Sequence, residues 1–356
     1  MENRNWDEFK LLGHRYNSKY EQNYYQEYLQ ASLFVDIYST YTDSEAWLGT
    51  YHKVLDLIGD SIQYHNDGSR IRDREKAFER YPLLLEKLED KRGKYIDRQM
   101  DDNYGTGRCV MGNKPAVTGG VGCAGIEIWQ HKFTEQSWQN EIETGYYHPA
   151  SHFRIRMPVD QFADEQSFLE WVLDLDLLQS PTLFSATAGY RMTQYRGYVD
   201  QGARKKLAAI LDKHPGFEYG NNSVSEIYSK EHKRVKPEIS RINWLNALNE
   251  DAFLFYPSGK NGLWEAAREY PELSIHNLPH GFMVQAGAEP GIGDNGKAPE
   301  AYYSAGKLLE TFSRRLSPTE LQYGLDHHEW AIQFHTPERL KEFKEIAINE
   351  ASVYIE

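Results

Sequence analysis

The sequence predicts an α+β fold in which a mixed or largely antiparallel sheet carries helices packed on its face. Three observations lead to this prediction. Strand-like and helix-like segments alternate along the 356 residues, several strands have one apolar and one polar side, and no repeat of fixed length relates the segments. Two similar α/β halves would be an alternative arrangement of the same elements.

The N-terminal part begins with a strand followed by helices. Apolar residues alternate along residues 33–38, which predicts a strand. Ser44 is the predicted N-cap of a helix whose apolar stripe covers residues 47–58. Charges of both signs dominate residues 70–102, so we expect two solvent-facing helices there that break at Pro82.

A glycine-rich segment, residues 103–125, is predicted to be a long loop. It suggests a division into an N-terminal α/β part, 1–125, and a C-terminal α/β part, 126–356, with one continuous body as the alternative. From Gly120 the segment has the GxGxxG spacing of a dinucleotide-binding loop. A strand-like run follows where that loop requires a helix, so we predict no cofactor.

The C-terminal part continues the alternation of strands and helices. Asp164 is the predicted N-cap of a helix that ends at the Ser180-Pro181 pair. Another helix begins with Pro299 in its first turn, and a charged helix is predicted over residues 337–348. Strands are predicted at residues 124–129, 153–157, 183–190, 273–276 and 281–285.

One of these strands is predicted to have a wet face. In residues 153–157, Arg154 and Arg156 alternate with apolar residues. Since one side of an antiparallel sheet commonly faces water, we expect both arginines on the solvent side.

Charge and cysteine content exclude several functional classes. The 40 lysines and arginines against 53 aspartates and glutamates leave a net charge of −13, which disfavours a general nucleic-acid binder. Cys109 and Cys123 have no CxxC pairing, which argues against a disulfide framework or a zinc site. The first residues carry no apolar run of signal-peptide length, and no apolar run in the sequence is long enough to span a membrane, so we expect neither export nor membrane insertion. We therefore predict a cytoplasmic protein with no membrane partner.

Histidines support one alternative function. His148 and His152 are four residues apart but lack the glutamate of a metalloprotease helix, and His327 has no partner histidine at helical spacing. We therefore predict no metal site and no catalytic residue. The alternative is a cytoplasmic enzyme acting on a sugar or nucleotide, in which these three histidines supply acid–base chemistry.

The last third of the chain carries a series of short motifs at characteristic spacing. Their residues are Asn243, Trp244, Leu245, Gln285, Gly287, Pro290 and Gly293. In order and spacing they resemble the TsiV-like immunity proteins of type VI secretion systems, a family formerly catalogued as a domain of unknown function. Members usually show a double glycine after the Asn-Trp-Leu helix, where this chain has Ser258-Gly259 and Asn261-Gly262.

The resemblance implies an immunity protein that binds a cognate type VI effector, occludes its active site and performs no reaction itself. Since the chain is predicted to be cytoplasmic, we hypothesise that the effector is a nuclease acting there. A net charge of −13 suits the basic groove of such an enzyme. The motif residues are expected to determine the fold, and the oligomeric state is left open. The predicted partner-binding residues are Glu289, Asp294, Asn295, Tyr302 and Tyr303.

Overall fold

The computed structural model describes residues 29–40, 43–65, 71–89, 106–112, 124–131, 151–194, 213–218, 227–229, 232, 234–239 and 241–312. The strands in these ranges are β1 (Leu29–Ser39), β2 (Tyr64–His65), β3 (Thr106–Gly112), β4 (Gly125–His131), β5 (Ser151–Met157), β6 (Leu183–Gln194), β7 (Ile227–Ser229), β8 (Arg234–Lys236), β9 (Leu245–Asn249), β10 (Leu273–Leu278) and β11 (Gly281–Ala286). The helices are α1 (Ser44–Ile58), α2 (Arg74–Glu89), α3 (Glu165–Leu173), α4 (Asp176–Gln179), α5 (Ala252–Phe255), α6 (Gly259–Ala267) and α7 (Glu300–Leu308). Short 3₁₀ helices lie at Gly59–Ser61 and Glu310–Phe312.

Nine of these strands form one antiparallel sheet in the order β10-β11-β9-β6-β1-β5-β4-β3-β2. The strands β7 and β8 form a separate two-stranded sheet. The predicted α+β class with an antiparallel sheet is therefore confirmed. Strand β1, from the N-terminal part, pairs with β5 and β6 from the C-terminal part, so the two parts share this sheet. The division at residue 125 stays a prediction.

One face of the sheet forms the apolar core with the helices. Alternate residues of β1, at positions 33, 35 and 37, are at most 1% exposed. On this face the ring of Trp47, from α1, lies 5.6 Å from the ring of Phe153, from β5. The helix stripe predicted over residues 47–58 accordingly packs on the strands, as helix amphipathicity requires.

The wet face predicted for β5 is wrong. Arg154 and Arg156 are 2% and 5% exposed. The register places Arg154 directly between Asp36 of β1 and Glu127 of β4. Because these carboxylates pair with the guanidinium group, the arginine can be buried where a lone charge could not be. The alternating pattern thus predicts the strand correctly, but it does not predict whether the polar face of the strand is exposed to solvent.

Two helix predictions also need correction. The N-cap of α1 is Asp43 rather than Ser44, because the Asp43 carboxylate accepts a hydrogen bond from the Ala46 N–H. A single helix, α2, runs through Pro82 instead of breaking there. The preceding residue, Tyr81, is buried with its ring 4.8 Å from that of Tyr51. We infer that this packing on α1 outweighs the backbone hydrogen bond that proline cannot make.

Two segments that were predicted to be a loop and a helix form strands in the structure. Residues 106–112 of the glycine-rich segment form β3, which pairs along its length with β4. This pairing gives the backbone N–H and C=O groups their hydrogen-bond partners, although the glycine content alone predicts a loop. Leu245, which the resemblance places in a helix, begins β9.

The predicted strands correspond to β1, β4, β5, β6, β10 and β11, and Asp164 and Pro299 are N-caps of α3 and α7. The single helix predicted from Asp164 to the Ser180-Pro181 pair is wrong in its extent, because α3 ends at Leu173 and a separate helix, α4, begins at Asp176. The helix predicted over residues 337–348, together with His148 and His327, lies outside the described residues. In the ranges given above, no helix has the length and apolar content needed to cross a membrane.

Candidate partner-binding surface

The loop between β11 and α7, residues 287–299, is held in a defined shape by its backbone. At its tip the Asp294 N–H donates to the Lys297 carbonyl at 3.0 Å, and the Lys297 N–H donates back at 2.9 Å. The two central residues, Asn295 and Gly296, have φ of 50° and 76°. An Asn-Gly pair with both φ values positive is typical of a type I′ turn. The tip is therefore a rigid two-residue turn.

A second segment, residues 213–218, packs against the loop and forms hydrogen bonds with it. The Gly216 N–H donates to the Ile292 carbonyl at 2.7 Å, and His214 Nδ1 lies 2.8 Å from the Gly293 carbonyl oxygen. A Cβ at Gly216 would lie 2.3 Å from the Gly291 carbonyl oxygen, so glycine is required for this close approach.

The predicted partner-binding residues occupy different depths in this region. Asp294 and Asn295 are exposed at the tip, whereas Glu289 and Tyr303 are half-buried. Tyr302 is completely buried, its hydroxyl accepts a hydrogen bond from the Gly291 N–H, and burial raises its pKa. Its ring therefore cannot meet a partner while the fold is intact. We assign Tyr302 to the core beneath the loop and correct the expectation for that residue.

The Asn-Trp-Leu motif joins the loop to the sheet. Asn243 and Asn246 are tied together, because the Asn243 N–H donates to the Asn246 side chain and Asn246 donates back to the Asn243 carbonyl. Trp244 Nε1 donates to the Gly287 carbonyl at 3.0 Å, at the base of the loop. Its ring stacks 5.9 Å from Phe168 of α3, and Leu245 is buried at the start of β9.

The other motif residues shape the loop entrance. Gln285 Oε1 lies 2.8 Å from His276 Nε2, and Gln285 Nε2 donates to the Ala288 carbonyl at 3.3 Å. Pro290 is buried, and Gly293 has a φ of 72° with no room for a Cβ beside the Lys297 carbonyl. These contacts support a structural role for the motif residues.

An acidic surface, which the sequence reading did not identify, lies on α1, α3, α4 and their ends. Residues 43–61 and 158–182 contain ten acidic residues and one lysine. A local charge count would have revealed this surface, whereas a count over the whole chain hides it. Seven of the ten are exposed: Glu45, Asp56, Asp60, Asp160, Asp164, Glu170 and Asp174.

Close packing fixes α1 against α4 in this surface. A Cβ at Gly49 of α1 would lie 2.3 Å from Asp176 Oδ2, and the Leu177 N–H donates to Thr50 Oγ1 at 3.0 Å. The one lysine, Lys53, lies between the helices with its Nζ 2.9 Å from Asp174 and 3.3 Å from Asp176. Partial burial opposes its charged form, but these carboxylates raise its pKa. The lysine therefore stabilises the contact between the helices. A second cation, Arg74, pairs with Asp60 at 2.9 Å at the edge of the surface, so the negative potential comes from the remaining exposed carboxylates.

The opposite, polar face of the sheet holds a buried ionic cluster. Asp36 Oδ1 accepts from Arg154 Nε and Arg191 Nη1, both at 3.1 Å, and Oδ2 accepts from Arg191 Nη2 at 2.6 Å. Burial alone would raise the pKa of Asp36, but the charges of Arg154 and Arg191 hold it at about 2. Burial likewise opposes ionisation of Glu127, yet Arg154 and Arg156 lower its pKa.

His152, one of the three histidines of the enzyme alternative, lies at the edge of this cluster. Its ring is 6.1 Å from that of Tyr38 and 6.0 Å from that of Trp129. Within the described ranges, no group of three or more His, Cys, Asp or Glu residues could hold a metal ion.

Comparisons with known proteins agree with the resemblance seen in the motifs. No curated protein sequence matches this chain. Among solved structures, the Pseudomonas aeruginosa T6SS protein PA0821 matches with a TM-score of 0.54 and 13% identity, over 90% of this chain and 88% of that one. At this identity the likeness shows the fold. The family model TsiV, described as type VI immunity for VRR-NUC, matches residues 128–336. Because this match covers more than half of the chain, the protein belongs to the TsiV family of type VI immunity proteins.

Proposed function

We propose that this protein binds a VRR-NUC nuclease effector of a type VI secretion system and neutralises it by covering the active site. The family description supplies the class of effector. The observation that carries the proposal is the acidic surface on α1, α3 and α4, where ten acidic residues accompany Lys53 and, beside Asp60, Arg74.

Electrostatic complementarity gives this surface a role in capture. An enzyme that cuts nucleic acid binds the phosphate backbone mainly through lysine and arginine. A rigid array of carboxylates offers that basic groove an alternative polyanion, and opposite charges steer the two proteins together. The backbone that carries these carboxylates is held by packed helices, so docking has little backbone conformational entropy to remove.

The loop tip is the second proposed contact. Asp294 and Asn295 are exposed on a turn that is already rigid, with the half-buried Glu289 and Tyr303 beside it. Trp244 connects the two regions, because its ring stacks on α3 and its Nε1 bonds the loop base. A partner that spans both regions would meet one preorganised surface.

In this proposal the protein acts by binding in the cytoplasm and catalyses no reaction. Family membership supports a binding role, and a nuclease effector has its substrate in that compartment. The partner is therefore the effector protein, with no nucleic acid, cofactor or membrane required.

The test is the association rate with the cognate VRR-NUC effector, measured at several salt concentrations. A surface variant carries three neutral substitutions in the acidic surface: Glu45→Gln, Asp56→Asn and Glu170→Gln. A control variant has the same charge change outside both proposed contacts: Glu250→Gln, Glu265→Gln and Glu269→Gln, all three exposed.

The surface variant should associate about tenfold more slowly than the wild type at low salt, and its rate should depend less on salt. The control should stay within about twofold of the wild type, since charges remote from the interface steer weakly. Equal rates for the two variants, with unchanged melting temperatures, would contradict docking through the acidic surface. Failure of the wild type to bind would instead contradict the choice of effector.

A further inference from the structure

Among the described residues, the buried ionic cluster has one more positive charge than negative. Three arginines, Arg154, Arg156 and Arg191, meet two carboxylates, Asp36 and Glu127, and all five are at most 5% exposed. Glu218 forms a β-bridge with Arg191 through its backbone, and its side chain is paired with Arg241 at 3.4 Å. The nearby carboxylate therefore does not remove the excess.

The excess charge is located at Arg156. Asp36 bonds Arg154 and Arg191, and Glu127 bonds Arg154 and the Trp129 indole. In the described part of the chain, Arg156 makes no ion pair, and its Nε has no hydrogen-bond partner. Burial and then the charge of Arg191 lower its pKa to about 10. The charges of Glu127 and Asp36 act in the opposite direction, and this guanidinium group is still charged at neutral pH.

The sheet places Arg156 and Arg191 on the same face, on the two strands that flank β1. Phe34 of β1 is opposite Arg156 on one side and Gly189 on the other, and Arg156 is also opposite Gly125. The Arg191 guanidinium carbon lies 4.2 Å from the centre of the Phe34 ring. The Arg191 guanidinium group thus lies over the ring of the residue directly opposite Arg156, in a row where the two glycines contribute no side chain. Arg191 Nε, like that of Arg156, has no hydrogen-bond partner.

We propose that Arg156 and Arg191 bind a small monovalent anion of the chloride class inside the fold. An unbonded buried N–H and an uncompensated buried charge are both costly, and one anion between the two Nε atoms relieves both. The excess of a single positive charge selects a monovalent anion. Because each Nε has less than 1 Å² exposed, neither a protein side chain of a partner nor a large organic anion reaches this position.

The test compares thermal unfolding of the whole protein in sodium chloride, sodium bromide and sodium gluconate at equal ionic strength. Gluconate serves as the anion too large for the site. The melting temperature should be about 2–4 °C higher in chloride and bromide than in gluconate, because an anion that binds the folded state stabilises it. Crystals grown in bromide should show an anomalous peak between Arg156 and Arg191.

The Arg156→Met variant should lose the difference between chloride and gluconate, since it removes the excess charge and keeps much of the side-chain volume. The matched control Arg74→Met alters an exposed arginine, paired with Asp60 at 2.9 Å, and should keep the difference. Equal melting temperatures in the three salts with no bromide peak would overturn the proposal. A difference that persists in Arg156→Met would place the anion elsewhere and overturn it too.

Discussion

Replacing Asp36 by asparagine should be among the most destabilising single changes in this protein. The carboxylate accepts three hydrogen bonds from two buried guanidinium groups, at 3.1, 3.1 and 2.6 Å. Its pKa falls from an ordinary 3.8 to about 2, which corresponds to about 2 kcal/mol of favourable interaction with the charged form. Removing one partner of a buried ion pair also leaves the other charges uncompensated, which brings the expected loss to about 3–5 kcal/mol.

Urea unfolding followed by tryptophan fluorescence measures this loss. The matched control is Asp56→Asn, which makes the same chemical change at an exposed position on α1 and should alter stability by at most about 0.5 kcal/mol. A loss below about 1 kcal/mol for Asp36→Asn, or equal losses for the two variants, would refute the view that the cluster stabilises the sheet.

The other predictions concern acid, the backbone and the loop anchor. Because the pKa of Asp36 is lower in the folded state, its contribution to stability is complete above about pH 4 and is lost as the pH falls towards 2; an acid titration of Asp36→Asn should show a shallower decline. Ser258→Gly should raise the free energy of unfolding by about 0.5 kcal/mol, because Ser258 has a φ of 60°, whereas Ser274→Gly in β10 should lower it. Trp244→Phe should lower the free energy of unfolding, measured by urea unfolding, by about 1–3 kcal/mol. The Gly287 carbonyl loses its hydrogen-bond donor, and the smaller side chain leaves a gap in the core.

Periodicity in the sequence predicted the central elements of the fold well. The alternation in residues 33–38 and 153–157 identified β1 and β5, and the stripe after residue 47 identified α1. Such patterns report which side chains share a face, and that is a local property. Neither strand order nor register is local, so the sequence did not reveal that β1 lies between β5 and β6.

The same limit explains the errors around Arg154 and the glycine-rich segment. An arginine in a strand faces solvent unless a neighbouring strand supplies a carboxylate, and Asp36 is 118 residues away in the chain. Residues 106–112 form β3 because β4 pairs with them. Long-range partners override local preference in both cases.

The candidate site was predicted in part. The resemblance directed attention to the loop whose tip is Asp294 and Asn295, and both are exposed. It could not separate Tyr302, which is buried, from its neighbour Tyr303, because a helix turns 100° per residue and opposite environments follow each other in sequence. The acidic surface combines residues 43–61 with 158–182, and only the packing of α1 on α4 brings them together.

Inhibition is tested most directly by a nuclease assay of the purified VRR-NUC effector, titrated with this protein. DNA cleavage should fall in proportion to the added protein and stop when the effector is saturated. The variant neutralised in the acidic surface should require a higher concentration than the variant neutralised elsewhere. Unchanged cleavage at a large excess of folded protein would contradict neutralisation by binding.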